Sequence, residues 1–140
     1  MTEIGKLRDQ HSELVRIVHR LTDLIARPTA PPQLQLFDLR RELASTLIGH
    51  LKTEDWVLYP SLLASPDAHV ASTARSFSHE MGGLAAAFID YSEKWNATAI
   101  AADWPAYCRD SRIVLDALTT RITRENRELY PLLEKLDCAA

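Results

Sequence analysis

Glycine is scarce in this 140-residue chain, with 4 in all, and cysteine is scarcer, with 2. So few glycines argue against a strand-rich fold, which needs frequent tight turns. Cys108 and Cys138 do not make a disulfide framework, and a reduced, cytoplasmic setting is the expectation. No apolar run approaches the ~20 residues of a membrane span. Met1-Thr2-Glu3-Ile4 lacks both the basic start and the apolar stretch of a signal peptide. Charge is nearly balanced: 16 Lys and Arg against 19 Asp and Glu leave a net charge of -3, without a dense basic run. Neither nucleic acid nor a membrane is therefore an expected partner. A Gly-rich phosphate loop and a G-x-S-x-G elbow are also missing, which leaves hydrolase and transferase chemistry without support.

What the chain has in quantity is apolar residues at helical spacing. Ile4, Leu7, His11, Leu14, Val18, Leu21 and Ile25 form one stripe on a segment that runs from about Thr2 to Arg27. Pro28, Pro31 and Pro32 end it. A second helix is predicted from Gln33 to about Leu63, with Pro60 kinking or loosening the turn before it. Ser65-Pro66-Asp67 reads as an N-cap with proline in the first turn of a third helix, which continues to about Asn96. Asp103 is the expected cap of a fourth, running to about Leu136. Four long helices with short connections predict a single all-α domain, an up-down-up-down antiparallel four-helix bundle spanning residues 1–140.

The chain also repeats itself. His50-Leu-Lys-Thr-Glu54-Asp-Trp-Val-Leu58-Tyr59-Pro60 aligns with Arg121-Ile-Thr-Arg-Glu125-Asn-Arg-Glu-Leu129-Tyr130-Pro131, 71 positions later. Asp9-Gln10-His11 matches Phe77-Ser78-His79, 68 positions later. In an antiparallel bundle these residues fall at similar heights. His11 lies 16 residues before Arg27 and His50 lies 17 after Gln33; His79 lies 17 before Asn96 and Arg121 lies 18 after Asp103. With ~1.5 Å of rise per residue, each pair is level. His50 and Glu54 share a helix face at i, i+4, as do Arg121 and Glu125. Taken singly, each of these residues reads as an ordinary core or surface side chain. Jointly they form a layer too expensive to bury unless its members pair or bind a cation. Imidazole with carboxylate suits iron, manganese or zinc better than calcium or magnesium. His19 and His69 fall outside the layer and read as solvated, and the two Tyr-Pro pairs read as shaping the helix beyond each Glu.

These residues give the chain a resemblance to the hemerythrin-like (HHE cation-binding) domain family over nearly its whole length. The resemblance implies a four-helix bundle holding a non-haem di-iron centre, with His11, His50, Glu54, His79 and Glu125 as metal ligands and the two glutamates bridging. Arg121 departs from it, standing where the family has a fourth-helix histidine, and Gly83 stands where some members have a second third-helix histidine. Arginine stays protonated and does not ligate a metal as imidazole does. Its fork can instead supply charge to Glu54 or Glu125, so the site is expected to hold one iron, or none, where the family holds two. The function this implies is binding or sensing of oxygen, nitric oxide or iron without turnover, as in a stress response. Its partners would be a metal ion and a diatomic ligand, with a protein partner or homodimer also open. Two alternatives remain at this point: a metal-free helical regulatory or protein-interaction domain, and a histidine phosphotransfer module using His79.

Overall fold

The computed structural model describes the backbone of residues 3–139 and the side chains of residues 3–136, so Thr2 and the Cys138 side chain fall outside the described residues. Every regular element among the described residues is helical. Helix α1 (Glu3–Ile25) is followed by α2 (Gln33–Thr53), a π turn at Glu54–Leu58 and α3 (Tyr59–Leu63). Next come α4 (Ala68–Met81), α5 (Leu84–Lys94) and the short α6 (Ala97–Ala102). The last rod is α7 (Trp104–Arg124), a second π turn at Glu125–Leu129 and α8 (Tyr130–Ala139).

Residues 33–63 form one continuous rod, because the backbone keeps right-handed helical angles from Thr53 through Tyr59. The anticipated effect of Pro60 takes a specific form here. Proline has no N–H to return to the carbonyl four residues back, and its ring would collide with that carbonyl. The chain widens by one residue instead: Tyr59 N–H bonds Glu54 O, five residues back, and Tyr130 N–H bonds Glu125 O in the same way before Pro131. Single π turns of this kind are concentrated at functional sites. Each half of the internal repeat carries one, opening on the glutamate.

The third helix differs from its sequence reading. Its cap is Asp67, whose Oδ1 accepts from His69 N at 2.9 Å and Val70 N at 3.1 Å, while Ser65 Oγ accepts from Asp67 N. Pro66 therefore precedes the cap rather than opening the helix. The helix is also interrupted at Gly82–Gly83, which divides it into α4 and α5. A Cβ on Gly82 would lie 2.4 Å from Ser78 O, so the bend there brings backbone closer than any side chain permits. The connection to the last rod holds a further helix, α6, capped by Asn96, and Asp103 caps α7 as anticipated. On α1 the buried stripe passes through Ile17, with Val18 only half-buried.

Helix α1 packs against α2, α7 and α8, α5 against α7, and α3 and the second π turn against α4. The core is in two apolar clusters. One includes Leu14, Leu21, Leu47, Leu51, Leu118 and Ile122; the other includes Leu7, Tyr59, Phe77, Leu129, Tyr130 and Leu133. Between them lies a buried polar layer of His11, His50, Glu54, Arg121 and Glu125, each 2% exposed or less.

The break in the third rod yields a test. Gly82→Ala is expected to destabilise the fold by about 1–3 kcal/mol, the usual cost of an overpacked contact. Gly83→Ala meets nothing within 4 Å and has an unstrained φ of -87°, so it should be neutral or gain about 0.4–1 kcal/mol from a stiffer unfolded chain. Urea denaturation midpoints of the two variants separate these outcomes.

Candidate metal centre

The layer is assembled from α1, α2, α7 and the two π turns. Widening the helix at each glutamate aims its carboxylate inward and brings the tyrosine five residues on to the same level. The tyrosines then cross over. Tyr59 OH, from the first half of the repeat, donates to Glu125 Oε2 at 2.6 Å, and Tyr130 OH, from the second half, donates to Glu54 Oε2 at 2.8 Å. Tyr130 OH is also 3.2 Å from His11 Nε2, and its ring stacks on that imidazole with centroids 5.0 Å apart.

Both imidazoles are fixed from behind. His11 Nδ1 donates to Asn126 Oδ1 at 2.8 Å and His50 Nδ1 donates to Gln10 Oε1 at 2.6 Å. With the amide oxygens accepting, each neutral ring carries its proton on Nδ1 and turns the Nε2 lone pair inward. His50 Nε2 then lies 2.9 Å from Glu54 Oε1, and His11 Nε2 lies 3.1 Å from Glu125 Oε1. Neither approach is a hydrogen bond, because the direction is wrong. His50 Nε2 and Glu125 Oε1 are buried side-chain atoms that have close neighbours and no hydrogen-bond partner. Two acceptors at this distance call for a proton or a metal cation between them.

The donor set fits a metal ion. One ligand atom each from His11, His50, Glu54 and Glu125 lies within 4.8 Å of the others, and all four residues are buried. Opposite ligands at about 2.0–2.2 Å from one ion are roughly 4.2 Å apart, so the cluster would close by about half an ångström around it. Amide groups that hold the far ring nitrogen are the usual support of a ligating histidine.

Arg121 supplies the charge on the other side. Its Nε donates to Glu125 Oε2 at 3.2 Å and its Nη2 to Glu54 Oε1 at 3.3 Å and Asp55 Oδ1 at 2.6 Å. Its Nη1 donates at 3.3 Å to Met81 O, the last carbonyl of α4, and the guanidinium lies over the Tyr59 ring. Burial pulls the arginine pKa down, but Glu125, Glu54 and Asp55 together push it above the ordinary value, and it stays charged. Burial also pushes Glu54 up, yet positive charge on its His50 side first and the Arg121 guanidinium next hold it below the usual carboxylate value. Burial, reinforced by the charge of Glu54, pushes Glu125 up despite His11 and Arg121. Both tyrosines are pushed far up by burial and the adjacent carboxylates, so they remain donors.

Four of the five residues singled out from the sequence thus meet. The fifth, His79, is exposed on α4 and outside the cluster, as are His19 and His69 elsewhere. Gln10, Asp55 and Asn126 were missed as partners, and the two tyrosines were read as shaping the helix when their hydroxyls hold the carboxylates. The repeat contains the signal for several of them. Asp55 and Asn126 follow the two glutamates, and Tyr59 and Tyr130 stand five residues after them. The correspondence is sharper in space: Asn126 holds His11, and Asp55, its counterpart, is taken by Arg121.

Arg121→Met should cost the metal-free protein about 3–5 kcal/mol, the penalty for leaving buried charge uncompensated. Tyr130→Phe should cost about 1.5–3 kcal/mol, since Glu54 loses a charge-assisted hydrogen bond in a dry site. Equilibrium unfolding in the presence of a chelator measures both.

The hemerythrin HHE cation-binding domain family matches residues 2–133. No curated protein and no solved structure matches the chain. With the family match spanning the whole of the buried cluster, the chain belongs to the hemerythrin HHE cation-binding domain family.

Proposed function

We propose that this chain is an iron-binding sensor or carrier with a single ion, held by His11, His50, Glu54 and Glu125, and that Arg121 stands in for a second ion. In this reading the rods at 3–25, 33–63, 68–94 and 104–139 run up-down-up-down as an antiparallel four-helix bundle of hemerythrin type. The observation that carries it is the charge of the buried layer. Two fully buried carboxylates, Glu54 and Glu125, share one guanidinium with the partly exposed Asp55, so with neutral imidazoles the layer is short of positive charge. A divalent cation supplies it, at the place where His50 Nε2 and Glu125 Oε1 lack partners.

Two imidazoles with carboxylates and open positions suit non-haem iron, which, when bound, supplies coordination of a diatomic ligand or a one-electron change. The protein's part is positioning and exclusion. Asn126 and Gln10 orient the rings, Tyr59 and Tyr130 hold one oxygen of each glutamate, and Arg121 fixes the charge beside them. The ligands are 2% exposed or less, between two apolar clusters, so water and organic substrates are kept out. Apolar surroundings of this kind favour a small, weakly polar ligand such as oxygen or nitric oxide, and binding or sensing over turnover.

One observation favours a second reading, a metal-free interaction domain: Trp56 and Val57 are 72% and 66% exposed on the same π turn as Glu54. His79 is exposed, as a phosphoacceptor must be, but phosphotransfer assigns no role to the buried cluster.

Elemental analysis of protein made in iron-replete cells, without a metal-affinity tag, should find about one iron per chain, lost in His50→Ala. Arg121→His should raise the content toward two, with His79 turning in as the partner of the new imidazole. Iron near zero that added iron, manganese or zinc does not restore would leave the interaction domain as the function.

A further inference from the structure

We propose that the chain has a second binding site, an apolar cavity that takes the body of a small monocarboxylate and holds its head group at Arg40. The cavity is about 250 Å³ and is lined by α1, α2, α5 and α7. On α1 its walls are Leu21 and Ile25, 10 and 14 residues beyond His11, which places it ~15–20 Å along the helix from the buried cluster. It is a different site from the metal centre and does not depend on the function proposed for that centre.

The interior is hydrocarbon. Leu21, Leu43, Phe88 and Leu115 are buried in it. Of the four hydroxyls in its lining, those of Tyr91 and Ser111 are 2.5 Å apart and bond one another. A guest therefore needs no hydrogen-bonding group on its body, which disfavours sugars and nucleosides. At roughly the ~30 Å³ that one water-sized group occupies in a liquid, the space holds about eight heavy atoms.

The rim selects charge. The lining includes two guanidiniums, Arg40 and Arg41, and no carboxylate. Arg41 has one contact to Asp38, at 3.3 Å. Arg40 makes no ion pair or hydrogen bond with any described residue. It is half-buried, its guanidinium carbon 5.1 Å from the centre of the Phe37 ring and 5.7 Å from that of Tyr107. A half-buried cation packed against two aromatic rings in the lining of an apolar cavity, with its donors unspent, is a receptor for an anion. The chemistry that matches cavity and rim together is an aliphatic acid of about eight carbons.

Isothermal titration of the full chain, with whatever metal it carries, tests this using sodium octanoate, 1-octanol and octylamine. Octanoate should bind saturably at one per chain, at least tenfold tighter than octanol, and octylamine should not bind. Arg40→Gln should erase the advantage of octanoate over octanol. Ala44→Trp, which fills the cavity from a half-buried rim position, should abolish binding of both while the helical circular dichroism is unchanged. Unsaturable uptake, equal affinity for octanoate and octanol, or an unaltered titration in Arg40→Gln would each overturn the proposal. The iron content should not change with octanoate, which keeps this result separate from that of the metal centre.

Discussion

Two carboxylates, Glu54 and Glu125, are 0% exposed in the middle of the molecule, and the arrangement around them follows from the need to compensate that burial. A lone ion of this kind costs several kcal/mol, far more than any one helix contact returns. The responses are layered. Arg121 supplies a permanent positive charge to both and Tyr59 and Tyr130 each donate a hydrogen bond, while the two imidazoles bring ring nitrogens within 3.1 Å of Glu54 Oε1 and Glu125 Oε1. Apolar residues of similar volume would have given a core as stable or more so. Two acids, two histidines and an arginine in that place are not explained by stability alone.

The two halves of the chain contribute almost equally, and the exchange of tyrosines between them locks them together. Each glutamate takes its tyrosine from the other half: Tyr59 serves Glu125 and Tyr130 serves Glu54. Both π turns exist to make this reach, and the proline after each tyrosine makes an uninterrupted α-helix there costly. Local backbone chemistry and the longest-range contacts of the site therefore impose the same conformation, which is the consistency expected of a sequence that specifies one structure.

Much of this is written in the chain. The 3.6-residue stripes place the helices, and the matching heights of His11 and His50 rest only on helix rise and an antiparallel turn, so they hold in space. The heights of His79 and Arg121 agree, since Arg121 reaches the Met81 carbonyl two residues on, but His79 lies on the exposed face of α4 and the two side chains do not meet. Hydrophobic period alone is blind to the break at Gly82–Gly83, since Leu84 and Phe88 resume a buried face on the far side. The repeat marks the place of Asn126 but not its partner, and it does not mark Gln10 at all. They lie 115 and 40 residues from the histidines they orient, and nothing about a solvent-compatible amide on a helix announces which neighbour it will meet. The reach of a tyrosine hydroxyl across the core is likewise a product of two helices, not of one.

The broken symmetry is the most informative part of the site. Asn126 and Asp55 occupy equivalent places, yet one is neutral and the other charged, and the difference tracks what each touches. A neutral amide beside His11 orients the imidazole and leaves its inward lone pair free for a cation. A carboxylate beside Arg121 does the opposite, binding the guanidinium at 2.6 Å and fixing it where its remaining donors reach both glutamates. The Met81 carbonyl, set free for this by the end of α4, secures the same group from a third side. Arg121 is thus over-determined while His79, the counterpart of His11, is left outside with no acid to hold it. One half of the layer is closed by a charge that never leaves. The other leaves His50 Nε2 and Glu125 Oε1 without a hydrogen-bond partner, which is where the proposed cation would sit.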